Sequence, residues 1–191
     1  MMNSFGGPSW VKCHLFAVAL MFLEYLSALE FVNPQKIIFS NSSFAKPQEW
    51  SLCNNAIISP KSVLELGIDV SKICLLDSES SETLCPDDAS TFSHFLFGGI
   101  LRNTDEFDFD RTKVLRNMGF ATRNLGSVQM TTDTALKTTH VIVGRGIPFH
   151  QLDFIDRPTI RAGPKESLIL NFRFLADETG RPQIAKGIVE L

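Results

Sequence analysis

His94-Phe95-Leu96-Phe97-Gly98-Gly99-Ile100-Leu101 is a short apolar run broken by a pair of glycines. Phe95-Leu96-Phe97 has no polar alternation, so the run reads as a strand buried on both faces. On its N-terminal side Ile73-Cys74-Leu75-Leu76-Asp77 and Lys36-Ile37-Ile38-Phe39-Ser40 have the same character. On its C-terminal side Ala121-Thr122-Arg123-Asn124-Leu125 reads as a shorter strand. Helical patterns lie between and around them. One runs from Asp110 to Met118 and stops at Gly119; another is capped by Thr131 or Thr132, runs to about Val143 and stops at Gly144 and Gly146. Strands apolar on both sides, separated by helices, predict an α/β fold: a mostly parallel sheet with helices on both faces. In such sheets ligands bind beyond the carboxyl ends of the strands, where Gly98-Gly99 and Leu125-Gly126 both fall.

The outer segments are less regular. Ser59-Pro60-Lys61 opens a short helix ending at Gly67, residues 77–82 form a surface loop, and Pro86-Asp87-Asp88-Ala89 starts a helical turn. Ser167 to Phe174 reads as one late strand. Leu15 to Leu23 is an unbroken apolar run of nine. A membrane span needs about 20 residues, so a buried helix from about Leu15 to Phe31 is expected and no membrane partner. The 191 residues form a single domain on the usual length prior, long enough to bury a core without staples.

Composition narrows the function classes. The net charge is -3 and no Lys/Arg block occurs, whereas proteins that grip nucleic acid carry basic stripes. The densest charge run is acidic, at Asp105, Glu106, Asp108 and Asp110, which suits a basic substrate better than RNA. Cys13, Cys53, Cys74 and Cys85 form no C-x-x-C pair, and His14, His94, His140 and His150 have no ligand spacing with them. No metal site is expected, and reduced thiols point to a cytoplasmic protein. Neither G-x-x-x-x-G-K-[ST] nor G-x-G-x-x-G nor G-x-S-x-G is present, which removes the ordinary P-loop, the dinucleotide fingerprint and the nucleophile elbow. Taken alone, Gly98-Gly99 is a tight turn, and Thr131, Thr132 and Asp133 are a helix cap with a charge that complements the helix dipole.

In order along the chain, Ile73-Cys74-Leu75-Leu76-Asp77, Phe97-Gly98-Gly99-Ile100-Leu101, Asp110-Arg111-Thr112, Met118-Gly119-Phe120 and Leu125-Gly126-Ser127-Val128-Gln129-Met130-Thr131-Thr132-Asp133-Thr134-Ala135 resemble the SPOUT-class protein arginine N-methyltransferase family. Phe154-Ile155-Asp156-x-Pro158, Phe172-Arg173-Phe174 and Phe22-Leu23-Glu24-Tyr25 extend the likeness to residues 22–184. The resemblance implies a SPOUT-type fold with a C-terminal trefoil knot, although knots are otherwise almost absent from proteins. It implies S-adenosyl-L-methionine as cofactor, held by three loops at Leu76 and Asp77; at Phe97, Gly98, Gly99, Ile100 and Leu101; and at Leu125, Gly126, Gln129, Met130, Thr131, Thr132 and Asp133. It also implies a monomer that methylates an arginine of a small-subunit ribosomal protein. The alternatives are methylation of RNA and a binding module without catalysis.

An arginine guanidinium is protonated near neutral pH, and carboxylates clamp its planar fork. Asp110 is therefore the first catalytic candidate, with Arg111 beside it as a brace for the cofactor carboxylate or the loop. The sequence departs from the family twice. Residues 1–14 are divergent, and Ser9 to Leu15 lacks the extended strand with which the family opens. Between Leu101 and Asp110, Arg102 to Phe109 replaces a glycine-, histidine- and proline-bearing loop that borders the substrate.

Overall fold

The computed structural model describes residues 9–13, 19–33, 36–40, 56–98, 111–161, 163 and 166–188. Its frame is set by two apolar strands, β4 (Ile73–Leu76) and β5 (His94–Gly98). Ile73, Cys74, Leu75, Phe95 and Leu96 have no exposed surface, so both sides of these strands are covered. Successive side chains point to opposite faces. Cys74, Phe95 and Phe97 join one hydrophobic cluster, which includes Tyr25, Ala28, Leu29 and Leu136. Ile73, Leu75 and Leu96 join a second, with Val63, Leu115 and Phe120.

Around this pair stand β1 (Ser9–Cys13), β2 (Ile37–Ser40), β3 (Ile57–Ile58) and β6 (Ala121–Arg123). The six-stranded sheet has the order β3-β2-β1-β5-β4-β6. Every pairing in it is parallel, as the apolar runs require.

The strand at residues 9–13 corrects the sequence expectation. No strand is expected at Ser9–Cys13, yet β1 is central, pairing with β2 on one side and β5 on the other. Five residues containing Lys12, after Gly6-Gly7-Pro8, give a weak strand signal of their own. The two neighbours supply hydrogen-bonding partners on both sides, so tertiary context overrides local propensity.

The α-helices among the described residues are α1 (Ala19–Phe31), α2 (Asp88–Thr91), α3 (Arg111–Arg116) and α4 (Thr132–Thr139). The expected helix near Gly67 is a 3-10 turn, Val63–Leu66. Ser62 and Glu65 form a capping box there, and Gly67 closes it at φ 72. Thr131 stands at the N-cap position of α4 without a side-chain cap hydrogen bond, and beyond α4 the chain continues as a π-helical turn over His140–Gly144. α1 packs along α4. Between them Lys137 Nζ donates to Asp133 Oδ2 at 2.9 Å and to Ser27 Oγ at 2.7 Å, so the two charges are buried as a satisfied pair. No helix among the described residues is long and apolar enough to cross a membrane.

The late strand also needs correction. Ser167 to Phe174 is not continuous: β9 (Ser167–Ile169) pairs with β8 (Thr159–Arg161), and β10 (Arg173–Leu175) pairs with β7 (Phe154–Asp156), both antiparallel. β9 is exposed along its length while Phe174 and Leu175 are buried. The apolar run therefore turns from a surface ribbon into the core near Asn171, a change of environment that periodicity alone does not carry.

Candidate active site

Three strand ends meet at one edge of the sheet. Leu76 is in register with Phe97 on one side and Arg123 on the other, so β5, β4 and β6 end at the same level. The chain after β1 goes to β2, whereas the chain after its neighbour β5 passes β4 to reach β6. Connections that leave adjacent parallel strands in opposite directions open a crevice at their carboxyl ends. Of the segments singled out in the sequence, Leu76-Asp77 and Phe97-Gly98 stand at the ends of β4 and β5 there, and Leu125-Gly126 lies just beyond β6.

At the end of β4, Asp77 is buried, and its carboxylate is gripped by the guanidinium of Arg116 from α3. Nη2 donates to Oδ1 at 2.8 Å and Nε donates to Oδ2, a bidentate geometry that neutralises the buried charge. Oδ1 also accepts the N–H of Glu79 at 3.0 Å, and the N–H of Asp77 donates to the Arg123 carbonyl at 2.9 Å. The Asp77 side chain is thus committed to holding α3 and the turn after β4.

At the end of β5, Phe97 is buried and Gly98 has α3 directly above it. A Cβ on Gly98 would lie 3.0 Å from Thr112 Oγ1. A side chain there would crowd the Thr112 hydroxyl, so the glycine eases this close approach. It brings the start of α3, and hence the backbone of Arg111, to the same edge as the strand ends. Gly99, Ile100, Leu101 and Asp110 lie outside the described residues, as do the Arg102–Phe109 loop and the side chain of Arg111.

At the end of β6, Arg123 Nε lies 3.1 Å from both oxygens of buried Asp88, Nη1 pairs with Glu82 at 2.9 Å, and Cζ sits 5.3 Å from the Phe92 ring centre. Asn124 donates to the Ser80 carbonyl at 2.9 Å and accepts from Thr83 Oγ1 and the Gly126 N–H. Leu125 is buried. Gly126 has φ +82, and a Cβ there would fall 2.9 Å from Phe149 Cζ, so neither the backbone nor the space accepts another residue.

The following segment enters α4. The Gln129 side chain is exposed, and the backbone carbonyl of Gln129 accepts the Arg173 backbone N–H at 2.8 Å; Met130 forms a parallel bridge with Arg173. Thr131 Oγ1 is 2.7 Å from both Asp133 Oδ1 and Thr134 Oγ1, and the Thr132 N–H donates to Glu24 Oε2 at 3.1 Å. Thr131 and Asp133 are buried in this network, so their side chains serve the α1–α4 interface. The described part of the edge offers the peptide groups of residues 126–130 with half-buried Leu76 and Met130 beside them, while Phe97 and Leu125 belong to the buried core. That suits a flat, largely apolar ligand read through peptide groups.

The C-terminal ribbon closes on this segment. Across the β7–β10 pair, Arg173 Nε and Nη2 donate to Asp156 Oδ1 and Oδ2 at 2.6 and 2.8 Å, and the guanidinium carbon lies 5.1 Å from the Phe154 ring centre. The Arg173 hydrogen bonds hold the Asp156 carboxyl below the usual carboxylate range, and Arg157 adds to the effect. Behind the edge, burial pushes the Cys74 thiol up to about 12, which makes it core rather than nucleophile. Among the described residues no group of three or more His, Cys, Asp or Glu could hold a metal ion.

The pattern of the SFM1-like protein arginine N-methyltransferases matches residues 18–191. The chain belongs to that family. Over 123 residues it is 40% identical to protein arginine N-methyltransferase SFM1 of Saccharomyces cerevisiae, a stretch covering 63% of this chain and 57% of the yeast protein. The matched stretch thus spans little more than half the length of that curated relative. The crystal structure of yeast SFM1 complexed with SAH superposes with TM-score 0.83 at 30% identity, covering 95% of this chain and 93% of that one. The SAM complex gives TM-score 0.83 at 30% identity, over 96% and 89%. The dual-specific Trm10 of Thermococcus kodakaraensis shares the fold at 14% identity and TM-score 0.55, over 74% of this chain and 95% of that one.

Arg116, Arg123 and Asn124 organise this SFM1-like edge, and nothing in the sequence pattern singles them out. Each is a polar residue at or beside a strand or helix end, where a buried carboxylate or a set of loop carbonyls needs a partner. Arg173 is visible in the sequence only as part of the Phe172-Arg173-Phe174 match.

Proposed function

We propose that this protein is an S-adenosyl-L-methionine-dependent protein arginine N-methyltransferase acting on a small-subunit ribosomal protein, and that it works as a cytoplasmic monomer. The observation that carries the reading is the convergence of the Leu76-Asp77, Phe97-Gly98 and Leu125–Thr131 segments at one sheet edge, in a chain that superposes on yeast SFM1 with its SAM-derived ligand. The reading extends to helices on both faces of the sheet, supported by the two clusters on alternate sides of β4 and β5, and to a C-terminal trefoil knot.

The cofactor, when bound, supplies an electrophilic methyl group on a sulfonium. The residues present fit it. Half-buried Leu76 and Met130 supply apolar surface beside the peptide groups that follow β4 and β6. The backbones of Leu125 to Thr132, together with Phe97 to Leu101, would hold it. The remaining work is positioning, for which effective molarity supplies roughly 7–11 kcal/mol. Asp110, which precedes α3 in the chain, clamps the substrate guanidinium in this reading, with Arg111 bracing the loop. The acidic Asp105, Glu106 and Asp108 favour a basic protein segment over RNA.

Asp110→Asn tests the assignment. Calorimetry should show unchanged cofactor affinity, while methyl incorporation falls at least about 100-fold, the usual worth of a positioned charge. Turnover near wild type would remove Asp110 from the mechanism.

A further inference from the structure

The Leu125–Thr131 segment is fixed at its two ends. Asn124 Oδ1 accepts the Gly126 N–H at one, and Glu24 Oε2 accepts the Thr132 N–H at the other. Its middle meets the C-terminal ribbon at one residue. The Arg173 N–H donates to the Gln129 carbonyl, and Arg173 bridges Met130. The same residue reaches back to the start of the segment: Arg173 Nη1 lies 3.6 Å from where a Gly126 Cβ would stand, beside Phe149 at 2.9 Å. Asp156 takes Nε and Nη2, and the guanidinium face lies over Phe154. The fork cannot rotate without losing both bonds or the ring contact. Phe149 is in turn 5.3 Å from Phe154, so Gly126, Phe149, Phe154, Asp156 and Arg173 form one packed unit.

We propose that Arg173 is a positioning residue for cofactor binding, setting the conformation of the Gly126–Met130 backbone from outside the sheet. This rests on the reading of that segment as a cofactor wall. The backbone N–H of Arg173 holds the Gln129 backbone carbonyl, and the side chain, locked by Asp156 and Phe154 and lying beside Gly126, fixes where that backbone stands, so loss of the fork shifts β10 against the segment before it unfolds the protein. A planar fork is what the site uses; a lysine keeps the charge but cannot make the two bonds to Asp156 or stack on Phe154.

The test compares Arg173→Lys and Asp156→Asn with the wild type. Calorimetry gives the Kd for S-adenosyl-L-methionine, and methyl incorporation gives KM for the cofactor and kcat. Arg173→Lys is expected to raise Kd and KM at least about tenfold and to leave kcat at saturating cofactor within about threefold. Asp156→Asn, which weakens the fork but leaves it in place, should give a smaller rise in the same direction. Circular dichroism at the assay temperature confirms that both variants are folded. Folded variants with wild-type Kd would overturn the proposal while leaving the functional reading intact. Equal losses in kcat and kcat/KM with unchanged Kd would also overturn it. A wild-type protein that binds no cofactor would overturn both.

Discussion

A carboxylate buried at a strand end must be neutralised, and at Asp77 this falls to Arg116, 39 residues along the chain. Removing the guanidinium leaves the acid alone in the interior, a change that costs about 3–5 kcal/mol for fully buried pairs. The Arg116 side chain is 34% exposed, so Arg116→Ala should cost less, roughly 2–3 kcal/mol, measured by urea unfolding. A loss below about 0.5 kcal/mol, the size expected of a surface pair, would show that Asp77 is neutralised in another way. The sequence showed the acid and its place beyond an apolar strand. It did not show the partner, because pairing across tens of residues depends on how α3 lies over the sheet. Thr131 and Asp133 make the same point in reverse. Their types and order were distinctive, but an N-cap that faces a second helix and one that faces a ligand have the same sequence signature.

Among the elements, β4 and β5 were legible because residues buried on both faces need no partner pattern to be recognised. β1 was not, since its strand character comes from the two strands that flank it. Its central place has a measurable consequence. In a strand paired on both sides every N–H has a ladder partner, and proline removes one. Val11→Pro should therefore destabilise by about 1–3 kcal/mol, the cost of a buried carbonyl left without its donor, read from the midpoint of thermal unfolding. A midpoint unchanged from wild type would mean that Ser9–Cys13 is dispensable to the sheet. The helix α3 is short, yet it links two parts of the site: Arg116 ties its end to β4, and Thr112 seats its start on Gly98.

For the whole molecule, stability is coupled to pH through its half-buried histidines. Burial lowers the pKa of His140, and Arg145 and Lys36 push it the same way; burial alone lowers that of His94. Both groups therefore bind protons more weakly when folded than at the ordinary value near 6.5. Below that pH the unfolded chain takes up protons that the folded chain does not, so stability is full above about 6.5 and is lost as pH falls toward the folded values. His140→Gln should flatten the melting temperature between about pH 7 and 5 relative to wild type. A wild-type curve with no slope in that window would contradict the assignment.

The SFM1-like frame, its parallel sheet and the three converging strand ends together point to methyl transfer onto protein arginine. The most direct test supplies methyl-labelled S-adenosyl-L-methionine and purified small ribosomal subunits to the enzyme, then separates RNA from protein. Protein arginine methylation puts the label in a single protein band, released as methylarginine on hydrolysis. Label in the RNA, or on another amino acid, would contradict it.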